Sequence, residues 1–191
     1  MKPVLSFAPE LLLQAQGRGL GVKAAFFDVD GVLTDGRLFI GAQGEEFKAF
    51  HALDGHGLKL LAAGGILPVF ISGRDSPALR RRIDDLGLAG QAHFAVADKL
   101  NCAQQVLAEL GLGWDEVAAI GDDWPDLPLL ERSGFACAPP NAHAEVRALA
   151  HHVTAAGGGT GAVREFCDLL LMASGRYAGL LQAQRATLDA R

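Results

Sequence analysis

Residues 22–31 read VKAAFFDVDG. A short run, apolar on both faces of an extended chain, ends abruptly in two carboxylates and a glycine. Such a run is the signature of a strand buried on both sides, as in a parallel sheet covered by helices. Four similar runs follow at Ile66–Ile71, His93–Val96, Glu116–Ile120 and Phe135–Ala138, with a short sixth at His152–Thr154. Helical patterns fall between them at 57–63, 77–86, 99–110, 144–150 and 162–173. Ser76 and Pro77 mark one helix start, and Gly111 and Gly175 mark two stops. Alternating strands and helices predict a Rossmann-like, doubly wound α/β fold. The segment LFIGAQGEEFKAF at 38–50 breaks the rhythm and reads as a β-hairpin flap around Gly41–Gly44.

Composition agrees with a globular chain of one domain. Of 191 residues, 50% are hydrophobic and 20% charged, and the formal net charge is −5. An acid excess argues against nucleic acid as partner but not against a small anionic substrate, because local charge can oppose net charge. Three widely spaced cysteines without a CxxC pair argue against a disulfide framework or a zinc site and fit a reducing cytoplasm. No apolar run approaches a membrane span, which argues against a membrane partner, and the first 22 residues read as a poor signal peptide and as a short helix or arm.

In a doubly wound sheet, ligands bind at the carboxyl ends of the strands. Three such ends are polar here: Asp28-Val29-Asp30-Gly31, Ser72-Gly73-Arg74 and Gly121-Asp122-Asp123. Lys99 opens the helix after another strand. Singly, each has an ordinary reading as a turn, a helix cap or a solvated lysine. Jointly, Asp28, Asp30 and Asp122 offer hard oxygens to a cation such as Mg²⁺. Asp28 can attack phosphorus as a nucleophile, and Asp30 can protonate the leaving oxygen and then activate water. Ser72 and Lys99 can bind phosphoryl oxygens. An EF-hand is excluded, since its sixth position would not be Gly31 and its twelfth would be Phe39.

With FFDVDGVLTDG, ISGR, Lys99 and GDDWPD in order, the chain resembles the haloacid dehalogenase superfamily. The resemblance implies Asp28 as nucleophile and Asp30 as acid/base. It implies Mg²⁺ on Asp28, the Asp30 carbonyl and Asp122, and phosphate on Ser72, Gly73 and Lys99, with Asp126 and Asp123 in support. The flap, GEEFKAFHALDGHGLKLL and GGGTGAVREFCDLLL narrow the likeness to the 3-deoxy-D-manno-octulosonate 8-phosphate phosphatase family. That family is capless, and residues 29–71 leave room for no lid. The implied domain spans 23–174, followed by a tail at 175–191. The implied activity is hydrolysis of a phosphorylated eight-carbon sugar acid for lipopolysaccharide precursor synthesis. The sugar acid would meet His51, Asp54, Gly55, Arg74 and Arg82. The implied assembly is a homotetramer built on the flap, with active sites at subunit interfaces.

The Gly157–Gly161 loop and the tail beyond it then cover a neighbour's site. The loop's other readings are a flexible connector or a phosphate cradle. The chain departs from the family pattern at Leu53, Lys59 and Asp98, and Asp98 is compatible with a phosphate site if it caps its helix. A nine-carbon, sialic-acid-like sugar phosphate and a non-catalytic oligomerisation module are the alternative functions.

Overall fold

The structure, a computed structural model, describes residues 3–16 and 21–189. Residues 1–2 and 17–20 of the expected arm, and residues 190–191 of the tail, lie outside the described residues. In chain order the elements are α1 (Pro9–Ala15), β1 (Ala24–Phe27), β2 (Phe39–Gly41), β3 (Gly44–Phe47), α2 (Ala52–Ala63), β4 (Leu67–Ile71), α3 (Pro77–Asp85), β5 (Ala92–His93), α4 (Lys99–Leu110), β6 (Val117–Ile120), α5 (Leu127–Arg132), β7 (Phe135–Ala138), α6 (Ala144–Leu149), β8 (His152–Val153), α7 (Ala162–Ala173) and α8 (Tyr177–Asp189).

Six strands form one parallel sheet in the order β5-β4-β1-β6-β7-β8. The chain runs outward from β1 through β4 to β5, crosses back, and runs outward the other way through β6, β7 and β8. The reversal leaves a crevice at the carboxyl end of β1, where connections diverge to opposite faces.

The four inner strands alternate between two cores, whereas the edge strands β5 and β8 are only partly buried. Ala25 and Phe27 of β1 join Phe70, Ala118, Ile120, Phe135 and Cys137 under α2, α3 and α7. Ala24 and Phe26 join Val69, Val117, Ala119 and Ala136 under α4, α5 and α6. This is why the strands read as continuous apolar runs. The first core is aromatic at its centre. Phe166 of α7 meets Phe27 edge-on at 5.5 Å and stacks with Phe135 at 6.4 Å.

The hairpin β2–β3 is antiparallel, with Gly44 at φ +107° in its turn and the rings of Phe39 and Phe47 stacked at 4.2 Å. No lid domain is present among the described residues. Two helices escaped the sequence reading. Helix α5 has six residues, too few to show a period, and its Pro128 sits in the first turn, where the missing N–H is tolerated. The 175–191 segment, expected only as a tail, contains α8, whose Tyr177 and Leu180 pack against the first core. The third strand is shorter than expected because the chain leaves the sheet after His93. No helix among the described residues is long and apolar enough to cross a membrane.

Phe166→Ala is expected to lower the unfolding free energy by about 3–5 kcal/mol in urea denaturation, because Phe166 is fully buried among rings that cannot collapse inward. Leu53→Ala, at an exposed position, should change it by less than about 0.5 kcal/mol.

Candidate functional site

Asp28 is the first residue beyond β1, and its N–H continues the ladder to the Ile120 carbonyl at 3.1 Å. The next turn is tightly constrained. Gly31 has φ +103°, and a Cβ there would lie 2.0 Å from Asp122 Oδ2. Buried Thr34 accepts from the N–H groups of Gly31 and Gly36 at 3.3 and 3.2 Å. Asn141, following β7, donates to the Gly31 carbonyl at 2.9 Å and accepts from Gly158 N–H at 2.7 Å. Gly159 N–H donates to the Val32 carbonyl at 3.0 Å. The Gly157–Gly161 loop is therefore fastened to its own chain's Gly31–Asp35 turn, not a flexible connector. Its Gly158 and Gly159 N–H groups are engaged within the protein, which removes them from a phosphate cradle.

Four charged groups converge beside this turn. Lys99 Nζ, at the start of α4, lies 2.5 Å from Asp28 Oδ1 and 2.7 Å from Asp126 Oδ1. The other Asp126 oxygen accepts from the N–H groups of Asp122 and Asp123 at 3.1 and 3.3 Å. One carboxylate oxygen each from Asp28, Asp122 and Asp126 lies within 4.8 Å of the others. Asp126 thus enters the cluster directly, whereas exposed Asp123 supports it through its backbone, its N–H donating to the Asp126 carboxylate and its carbonyl accepting from Asp126 N–H at 2.9 Å.

Burial, then Asp126, push the Asp28 carboxyl up to about 6 against the pull of Lys99. Burial, then Asp28 and Asp126, push Asp122 up to about 8. Burial alone would lower Lys99, but Asp28 and Asp126 outweigh it and hold the ammonium above its usual range. One ammonium does not balance three crowded carboxylates, so the cluster is a fitting seat for a divalent cation.

Ser72 follows β4, the strand beside β1, and its hydroxyl accepts from Arg74 N–H at 3.2 Å. Ala95 takes the left-handed conformation at φ +53°, and the chain then returns Val96 N–H to the Ser72 carbonyl at 2.9 Å. Gly73 continues the same strand end. Asp98 accepts from Asn101 N–H at 2.9 Å, so it caps α4 as its place beside Lys99 requires.

Asp30 is turned elsewhere. It pairs with Lys48 and lies 3.8 Å from Arg74. Lys48 and its partner Glu45 were not singled out in the sequence, although both lie in the flap segment. A lysine and a glutamate three apart on a hairpin usually face water, so only their burial marks them.

His51, Gly55 and Arg82 gather in a recess with Phe50 and Leu33. Arg82 donates to the His51 carbonyl at 3.3 Å, and a Cβ on Gly55 would lie 2.2 Å from its guanidinium. Asp54 lines the same recess but is buried and accepts from Arg164 N–H at 2.8 Å, tying α2 to the first turn of α7. Burial raises its carboxyl above the usual range.

Residues 94–163 match the haloacid dehalogenase-like hydrolase family. The chain is 39% identical over 162 residues to a 3-deoxy-D-manno-octulosonate 8-phosphate phosphatase, KdsC, of Yersinia pestis, across 85% of this chain and 86% of the relative. It superposes with a TM-score of 0.84 at 35% identity on the Moraxella catarrhalis phosphatase of that name. That crystal structure is in complex with magnesium ion, phosphate ion and a KDO molecule, and the match covers 91% of this chain and 97% of that one. The cobalt-bound phosphatase of Haemophilus influenzae gives a TM-score of 0.79 at 38% identity, covering 87% and 93%.

Two outcomes are expected. Asp28 and Asp122 bind protons more tightly in the folded chain than at the ordinary 3.8, so the chelated protein should lose stability as pH rises from about 4 to about 8. A divalent cation should flatten that slope, read as melting temperature against pH. Gly158→Ala should cost about 1–3 kcal/mol and most activity, since its Cβ would sit 1.9 Å from the Gly31 carbonyl oxygen. Gly90→Ala, with open space around it, should be near neutral in the same assays.

Proposed function

The chain belongs to the 3-deoxy-D-manno-octulosonate 8-phosphate phosphatase family of haloacid dehalogenase-like hydrolases and is a phosphatase, and from that premise we propose the substrate, the cofactor and the residue roles. The substrate is 3-deoxy-D-manno-octulosonate 8-phosphate, hydrolysed to the free sugar acid and phosphate in lipopolysaccharide precursor biosynthesis, in the cytoplasm. The carrying observation is the divergence of two aspartates two residues apart. Asp28 faces Lys99 and the carboxylate cluster, and Asp30 faces the flap and Arg74. A nucleophile and a proton carrier need those separate surroundings.

In this reading Asp28 attacks phosphorus, the bond to the sugar oxygen breaks, and Asp30 gives that oxygen its proton. Asp30 then takes a proton from water as the water attacks the aspartyl phosphate, which frees phosphate and restores Asp28. Ser72, the Gly73 N–H and Lys99 hold the phosphoryl oxygens, where transition-state charge collects. Arg74 suits the sugar-acid carboxylate through its planar fork, and His51, Gly55 and Arg82 line the neighbouring recess. Asp54 shapes that recess from behind.

The oxygen donors of Asp28 and Asp122, with the Asp30 carbonyl and Asp126 alongside, fit Mg²⁺, which the Moraxella neighbour carries. Bound there, Mg²⁺ would offset the mutual repulsion of carboxylates and phosphate. The exposed apolar residues Ile40 and Phe47 of the hairpin support assembly through the flap into a homotetramer.

Asp28→Asn is expected to lower kcat by at least about a thousandfold while melting temperature and circular dichroism stay close to wild type. Normal turnover would refute the nucleophile. In a phosphate-release panel with Mg²⁺, the eight-carbon sugar-acid phosphate should give the highest kcat/KM. A nine-carbon acid turned over better would reassign the substrate, and a chelator should abolish release until Mg²⁺ is restored.

A further inference from the structure

Lys48 lies just beyond β3, and only 1% of its side chain is exposed. A buried ammonium must be paired. Its partners are Asp30 Oδ1 and, at 3.0 Å, Glu45 Oε2. Glu45 is itself 9% exposed and accepts from Arg74 Nη2 at 3.2 Å and from the Ser76 hydroxyl. Ser76 caps α3 through Leu79 N–H, so the hairpin is tied to a rigid helix start. Lys48, Glu45, Arg74 and Asp30 thus form one closed ring of contacts between basic and acidic side chains.

The hairpin turns Ile40 and Phe47 outward, at 61% and 52% exposure, so polar contacts tie its β3 side to the body. The two Asp30 oxygens are not equivalent. Oδ1 is committed to Lys48, whereas Oδ2 lies 3.8 Å from Arg74, beyond hydrogen-bond range. One oxygen is anchored and the other is left available beside the guanidinium.

We propose that Lys48 is a positioning residue for Asp30, delivered by the flap and held there by Glu45. Its anchoring of Oδ1 keeps Oδ2 aimed at the leaving oxygen of the substrate. The flap then has a catalytic duty within its own chain. This rests on Asp30 being the proton donor proposed above.

The experiment compares two esters with Mg²⁺ present: the phosphorylated sugar acid, whose alkoxide must be protonated to leave, and p-nitrophenyl phosphate, whose phenolate leaves without a proton. For Lys48→Met, kcat and kcat/KM on the sugar phosphate should fall about 10–100-fold with KM within about threefold. The kcat/KM for the aryl ester should stay within about threefold. Lys48→Arg keeps the charge, so it should recover at least about a third of the sugar-phosphate kcat.

Equal losses on both esters, a rise in KM alone, or no recovery with Arg would overturn the proposal. Asp30→Asn separates the two claims. If it shows the ester selectivity and Lys48→Met does not, positioning fails while the acid stands. If Asp30→Asn turns over the sugar phosphate normally, the acid assignment itself fails.

Discussion

The buried ammonium of Lys99 sits between Asp28 and Asp126, with Asp122 close enough to add its own charge. That imbalance is the constraint on which the rest of the structure depends. Carboxylates are costly to bury, and three together repel one another, as the raised Asp28 and Asp122 show. Only an inner strand with a neighbour on each side can present groups from three strand ends to one point. β1 has that place, with β4 on one side and β6 on the other. The aromatic core under β1 fixes the strand, and the strand fixes where Asp28 begins.

Around the cluster, the backbone is shaped to leave no slack. Gly31 admits Asp122, Gly158 admits the Gly31 carbonyl, and Asn141 joins the two loops. Asp54 ties α2 to the start of α7 from the other side. These residues do no chemistry in the proposed reaction. They hold the turn that sends Asp28 and Asp30 to different partners.

Much of this was legible in the chain. FFDVDG, ISGR, Lys99 and GDDWPD are local patterns whose residue types lie at strand or helix ends, so the pattern and the position in the sheet are read together. The parallel sheet follows from the strand runs, the hairpin from LFIGAQGEEFKAF, and the enzymatic class from the family resemblance these motifs carry. Asp98 as the cap of α4 was also foreseeable, since a short acidic side chain before a helix has that local use. Less legible were elements without a period of their own. α5 is too short, and β5 ends early because Ala95 turns the chain toward Ser72. By the family resemblance, Asp54 is expected to meet the sugar acid. Its bond to Arg164 N–H joins residues 110 positions apart and leaves no local trace.

The sequence by itself determined which segments are strands, though not that the outer two, β5 and β8, lie half-exposed at the sheet edges. It also determined which carboxylates and hydroxyl end strands and which ammonium opens a helix, and hence the chemistry available at one sheet edge. Periodicity and strand-end composition depend on near neighbours, so they survive without coordinates. Only the tertiary structure decided which charges pair. It placed Lys99 between Asp28 and Asp126, turned Asp30 toward Lys48 and Arg74, and seated the glycine loop on its own chain. Those choices depend on distances across the fold, where burial strengthens every charge interaction and a few ångströms select the partner.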